Sequence, residues 1–282
     1  MADGLEKLKE WIGRRESGVD YVTIPLAERH AATLDLESFP AEGEPLPVGW
    51  HAALFPRVVR QSQVGPDGHP RRGDFLPPVP LPRRMFAGRR VTFQADLLVG
   101  DRVTKQSEIA NVTIKEGRTG KMVFVTVRHD ISSPRGLAIV EEQDIVYRDE
   151  PDPSAPKPAP QPAARTATWA RPFTPEPVVL FRYSAITFNG HRIHYDHPYV
   201  TEVEGYEGLV QNGGLTTLLV SELARTRSKR PIRSMTSRNV RPLFANHEFM
   251  VCGEPSPDGG AARMWVADHT GALALSAEIQ FY

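Results

Sequence analysis

The residues best equipped for chemistry in this 282-residue chain gather in one stretch, Tyr183 to Asp196, reading YSAITFNGHRIHYD. Asn189, His191 and His194 stand there beside a carboxylate, Asp196. An imidazole has an unperturbed pKa of about 6.5, which suits His194 to take or give a proton near neutrality. A second stretch, QNGGLTTLLVSELART from Gln211 to Thr226, places Gly213 and Gly214 at the start of an apolar helix. The first N–H groups of a helix lack intrahelical partners and can be aimed at a developing anion. A base beside a helix N-terminus is the minimum equipment for chemistry next to a carbonyl.

The same residues admit plainer roles. His194 could be a hydrogen-bonded loop histidine, and the glycine pair could serve close packing of a helix on a sheet. His191, His194 and His197 with Asp196 spell HxxHxDH, which matches no helix-borne ligand spacing, and no second Cys/His cluster completes a set. Neither a metal nor another cofactor is therefore expected. Arg225, Arg227, Lys229 and Arg230 fall at the helix's far end. Cations there complement the helix dipole, or could meet the phosphates of a ligand such as coenzyme A.

The elements that must hold these pieces follow from patterning. Leu5, Leu8, Trp11 and Ile12 predict a helix over 5–15, Tyr21–Ile24 a β-like run, and Pro25 the opening of a second helix. Residues 42–82 are rich in Pro and Gly and predict a long loop around a short helix at Trp50–Phe55. From Arg89 to Arg148 four β-rich runs separated by turn residues predict an antiparallel meander. Asp149–Pro177 is dense in Pro and Ala and reads as a spacer between domains spanning 1–148 and 178–282. Beyond it come a strand at Val178–Tyr183, the motif loop, the helix from about Gly214 to Arg227 with one buried stripe, and four closing strands. Gly136–Tyr147 and Gly271–Tyr282 end the two halves with segments of equal length, which points to a duplicated α+β unit paired edge to edge.

Composition narrows the partners. Lysine plus arginine number 34, equal to aspartate plus glutamate, so nothing global calls for nucleic acid or an anionic membrane. The one cysteine, Cys252, has no intrachain disulfide partner and reads as a small buried hydrophobe in a reducing compartment. There is no signal-peptide core near Met1 and no apolar run of the ~18 residues a membrane span needs. These features predict a soluble, cytoplasmic protein.

FNGHRIHYD followed by EGYEGLVQNGGL resembles the signature of the MaoC-like (R)-specific enoyl-CoA hydratases. RYSAITFNGHRIHYD, PLPRRMFAGRRVTF and KEGRTGKMVFVTVRHDI together resemble the double hot-dog branch acting on itaconyl-CoA and 3-methylfumaryl-CoA (mesaconyl-C4-CoA). The resemblance implies an α+β double hot-dog, in which two antiparallel sheets each wrap a helix and pair as a pseudo-dimer. It implies a degenerate, substrate-binding first half and a catalytic second half. Asn189 stands where that family has its catalytic aspartate, His191 at its asparagine, Arg192 at its proline and His194 at its catalytic histidine. An amide cannot transfer a proton as a carboxylate can, so His194 is left with most of the acid–base work. Gly213 inherits the oxyanion-hole amide, with Gly214 beside it.

The implied activity is hydro-lyase chemistry on an α,β-unsaturated acyl-CoA, most naturally itaconyl- or 3-methylfumaryl-CoA giving citramalyl-CoA. Arg83, Arg84 and Arg192 are the candidates to meet a free carboxylate on the acyl group. A 3-hydroxyacyl-ACP dehydratase, a hot-dog thioesterase and a non-catalytic acyl-CoA-binding protein are the alternatives. The acyl-CoA is the expected partner, and a homodimer is compatible with the fold.

Overall fold

The computed structural model describes residues 2–71, 73–117, 120–149 and 159–282. Its strands in chain order are β1 (Arg15–Tyr21), β2 (Arg83–Phe93), β3 (Arg102–Gly117), β4 (Gly120–Ser133), β5 (Gly136–Arg148), β6 (Trp169–Phe173), β7 (Ile232–Asn239), β8 (Phe249–Pro255), β9 (Ala261–Ala267) and β10 (Leu273–Phe281). They form one sheet of order β1-β3-β4-β5-β2-β7-β10-β9-β8-β6, with every named pair antiparallel. Outward from the β2–β7 seam, both halves run in the same order: second strand, fifth, fourth, third, first. The duplicated pattern seen in the closing strands thus extends to all ten.

The edge-to-edge pairing expected of the two units is made by β2 and β7, from Gly88↔Arg238 to Thr92↔Ser234, and joins them into one continuous sheet. The meander differs from expectation. β2 does not pair with β3; it crosses to the far side of β5. The connection is held down by buried Leu97 and Val99 and by a bridge between Pro45 and Leu98, so a long link outcompetes a local hairpin.

Three local expectations are corrected. Val178–Tyr183 belongs to a helix, α3 (Pro177–Ile186), because Pro177 suits a helix's first turn and Leu180, Tyr183 and Ser184 fall on one buried face at helical spacing. Residues 5–15 are not one helix. A short α1 (Ala2–Glu6) passes into a 3-10 turn at Lys7–Trp11, and Arg15 already begins β1. The expected spacer contains β6, an edge strand whose Pro172 is tolerated where no further neighbour pairs. Residues 150–158 of that spacer lie outside the described residues. The second predicted helix is present as α2 (Ile24–Thr33), capped by the Thr23 hydroxyl.

The glycine-led helix is α4 (Gly213–Arg227), and it is buried on every side from Leu215 to Ala224 rather than along one stripe. The sheet covers one face through β6 to β9. The first half covers another: Trp50 Nε1 donates to Glu222 Oε1 at 3.0 Å, and Gly49 packs against Leu218 and Ser221. Polar residues survive inside because each has a partner. Thr217 and Ser221 donate to carbonyls one turn back, and Glu222 also receives Arg225. Among the described residues the first half has no helix buried on every side as α4 is; its helical pieces are short, namely α1, α2 and the 3-10 turns Lys7–Trp11, Trp50–Ala53 and Gln61–Gln63. No helix among the described residues is long and apolar enough to cross a membrane. Cys252 is buried, and burial pushes its thiol pKa up.

The seam can be tested at Gly88, where an added Cβ would run into the Ser237 carbonyl oxygen across the strand pair. Gly88→Ala should destabilise the fold by about 1–3 kcal/mol, the usual cost of overpacking. Gly4→Ala, whose methyl meets nothing within 4 Å, should leave the denaturation midpoint nearly unchanged.

Candidate active site

His194 ends a 3-10 turn (Arg192–His194) and is buried at 6% exposure. Its Nδ1 lies 2.7 Å from the Val210 carbonyl, which can only accept, so Nδ1 carries the proton and Nε2 keeps its lone pair. Burial holds the His194 pKa down to about 4; the Val210 bond partly opposes this and the charge of His69 adds to it. At neutral pH the ring is therefore an uncharged base. The Asn212 amide stands 3.5 Å from His194 Nε2 while its Oδ1 accepts from the Gly214 N–H at 2.9 Å, capping α4. One side chain thus joins the base to the helix N-terminus. The Gly213 N–H carries no hydrogen bond among the described residues, while the Gly214 N–H is occupied by the cap. Gly214 matters instead for what it lacks, since a Cβ there would come within 2.8 Å of the Tyr183 hydroxyl.

The motif loop leaves α3 through Phe188, a non-glycine residue at φ 51°, the kind of local strain that collects at functional sites. Asn189 Oδ1 accepts the His191 N–H at 3.0 Å, so its carbonyl shapes the loop. His191 packs edge-on to His194 with ring centroids 5.5 Å apart, and burial first, then the charges of its neighbours, holds its pKa near about 2. Arg192 is structural in this arrangement. It pairs with Asp196 at 2.8 and 2.9 Å, covers the Tyr199 ring at 3.9 Å and donates to the Pro66 carbonyl. Its guanidinium is thus already engaged within the protein. Asp196 in turn accepts the Tyr199 N–H, and His197 is exposed, so HxxHxDH does not converge on a shared centre. Arg225 is bound to buried Glu222 near the helix end remote from His194.

Residues of the first half complete the surroundings. Arg83 donates to the Glu204 carbonyl at 3.2 Å, while Arg84 lies near enough to His191 for its charge to help lower that pKa. Arg84 and Thr187 line a cavity of about 770 Å³ over the helix-poor half. Its wall carries a buried polar group the sequence did not announce. Glu141 meets His51 at 3.2 Å, Gln143 at 2.9 Å and Arg89 at 3.5 Å; burial opposes ionisation, but the Arg89 charge and the His51 bond keep the carboxyl well below its usual range. Asn212, Asp67 and His69 were also missed. Asp67, His69 and His191 are the one trio of donors among the described residues close enough to share a cation, with atoms within 4.8 Å of one another. An Asp67–His69 hydrogen bond already engages one atom of each.

Residues 49–245 match the model of the hydroxyacyl-thioester dehydratase type 2 family. The mesaconyl-C(4)-CoA hydratase of Chloroflexus aurantiacus is 44% identical over 274 residues, 96% of each chain. The chain belongs to the hydroxyacyl-thioester dehydratase type 2 family. Among solved structures, a MaoC-like dehydratase from Phytophthora capsici superposes with a TM-score of 0.74 at 12% identity, covering 99% of this chain and 97% of that one. A Mycobacterium tuberculosis protein described as a double hotdog fold gives 0.59 at 15% identity, covering 96% of each. The fold of this dehydratase-family chain is the double hot-dog, and it is a hydro-lyase of the hydratase/dehydratase type.

For this family member the buried base has two measurable consequences. Activity at subsaturating substrate should hold from neutral pH to about 5 and fall as pH drops through about 4, where His194 protonates. Stability shares the sign. Between about 6.5 and 4 the unfolded imidazole binds a proton that the folded one refuses, so stability is full above 6.5 and declines toward 4. His129, His30 and His191 are held down by burial as well, so His194→Gln should reduce that slope in denaturant titrations without abolishing it. Asn212→Ala should cost about 1 kcal/mol through the lost cap and also slow turnover, separating it from a cap with no catalytic contact.

Proposed function

We propose that this protein adds water reversibly across the double bond of an α,β-unsaturated acyl-CoA, with an acyl group of the itaconyl or 3-methylfumaryl type that yields citramalyl-CoA. The observation that carries this is the neutral His194 Nε2 held beside the unpaired Gly213 N–H through Asn212. His194 takes a proton from water as the oxygen bonds to the β-carbon. The displaced π electrons move onto the thioester oxygen, where the Gly213 N–H and the N-terminus of α4 stabilise the enolate. Protonation of the α-carbon completes the hydration. Tyr183, whose burial pushes its pKa up to about 12, stays a neutral phenol beside the helix start.

The acyl specificity rests on the full-length likeness to the mesaconyl-C(4)-CoA hydratase and on the cavity. Its volume is in the range of small-molecule sites. Arg84 lines it, and a guanidinium suits a carboxylate enclosed there. In this reading the first half binds the acyl group and the second half performs the chemistry.

The test is a panel of 3-methylfumaryl-, itaconyl- and crotonyl-CoA, with ACP thioesters alongside, followed by mass. Gain of one water without release of free CoA is expected; free thiol would mean a thioesterase. Arg84→Ala should raise KM for the dicarboxylic substrate by roughly 10-fold or more, as for loss of a charged hydrogen bond, and leave crotonyl-CoA nearly unaffected. Equal losses on both would place Arg84 at the CoA phosphates instead.

A further inference from the structure

The hydratase reading leaves one proton unassigned. His194 takes a proton from water, yet the α-carbon must receive one, and Asn189 is an amide where related motifs supply a carboxylate. The structure brings a carboxylate to this place from the other half of the chain. Residues 65–70 form a tight turn, with Gly65 N–H on the His69 carbonyl at 2.7 Å, and it docks directly on the motif loop. Arg192 donates its backbone N–H to the Asp67 carbonyl and its Nη1 to the Pro66 carbonyl, both at 2.9 Å. The crossing is so close that a Cβ on Gly68 would collide with the Gly190 carbonyl, and one on Gly190 would lie 2.8 Å from the Gly68 oxygen. Docking carries the His69 ring to a centroid distance of 4.0 Å from His191, which touches His194 on its other side. Asp67 Oδ2 lies 3.1 Å from His69 Nδ1, and its Oδ1 accepts the His69 N–H.

Resting on the hydratase reading, we propose that His69, positioned by Asp67, is the general acid of the reaction, standing in for the carboxylate missing at Asn189. With Nδ1 engaged by Asp67, Nε2 is the nitrogen that delivers the proton. The step balances. A water O–H bond breaks and its proton goes to His194 Nε2; the C–O bond forms at the β-carbon; the enolate then takes a proton from His69 at the α-carbon. His194 then loses its proton to solvent and His69 regains one from solvent, so each turnover consumes one water and no net proton. Asp67 is suited to its part. Burial alone would raise its pKa, but the hydrogen bond from His69 and the charges of His69 and His191 outweigh that and hold it at about 2. A carboxylate that stays ionised accepts from the His69 ring and orients it.

The experiment compares wild type, His69→Gln and Asp67→Asn on the hydrated thioester, with denaturation midpoints recorded for each. His69→Gln should lower kcat by ~10²-fold, the lower range for a general acid, with KM within about 3-fold. Added imidazole should restore at least part of that rate, and Asn189→Asp in the same background should restore more, since it returns a proton-transferring group to the motif. Asp67→Asn should lower kcat by roughly 10-fold and provides the readout should His69→Gln fail to fold. A His69→Gln enzyme at wild-type rate overturns the proposal while leaving the hydratase reading intact. So does a slow variant that neither imidazole nor Asn189→Asp improves, because His69 would then serve only the docking turn. A wild-type rate abolished by chelator and restored by zinc would overturn it too, turning Asp67, His69 and His191 into a metal site. A wild type that hydrates no thioester removes both readings together.

Discussion

The pairing of β2 with β7 is the contact on which the rest of the molecule depends. Each half-sheet alone would end in an exposed row of N–H and C=O groups, an edge open to non-specific pairing. Joined from Gly88↔Arg238 to Thr92↔Ser234, the two edges satisfy each other and fix how the halves face. Everything placed across the seam follows. Asn239 reaches the Phe86 carbonyl, Gly49 and Trp50 close over α4, and the turn at Gly68 meets the loop at Gly190.

Enclosure of α4 gives the site its chemistry. The helix is buried along ten consecutive residues from Leu215 to Ala224, and its first turn, with the unpaired Gly213 N–H, is half-buried beside His194. Burial keeps His194 uncharged, and the Val210 carbonyl then chooses its tautomer. Asn212 couples the two effects, because one amide both caps the helix and faces the base. The uncharged imidazole and the helix N-terminus are thereby joined through one side chain, an arrangement that neither stretch of sequence could achieve separately.

The halves have diverged in what they put over the sheet. The second half holds a long buried helix, whereas the first half holds only shorter helical pieces, proline-rich loops and a cavity of about 770 Å³. Without a helix of that length, the first half leaves room for a cavity. The cavity wall carries buried Glu141, which is tolerated inside because Arg89 and His51 pair with it.

The site motif, the glycine-led helix, the four closing strands and the double hot-dog class were legible from sequence, because each rests on local spacing or on a contiguous signature. His194 and Gly213 lie in such stretches and were read directly. Local pattern misled at Val178–Tyr183, whose β-branched residues suggest a strand while Pro177 and the burial of Leu180, Tyr183 and Ser184 make a helix. It also missed β1 and β6, edge strands of polar or proline-containing sequence that exist because a neighbour pairs with them. Arg192 looked like a ligand-binding cation and became a structural one, since only folding brings Asp196, Tyr199 and Pro66 around it. Asp67 and His69 lie more than a hundred residues from His191 in sequence, yet the His69 ring stands 4.0 Å from the His191 ring in space. No spacing rule connects them. Their meeting was decided by two glycines that let backbones cross and by a seam that holds both halves in one sheet.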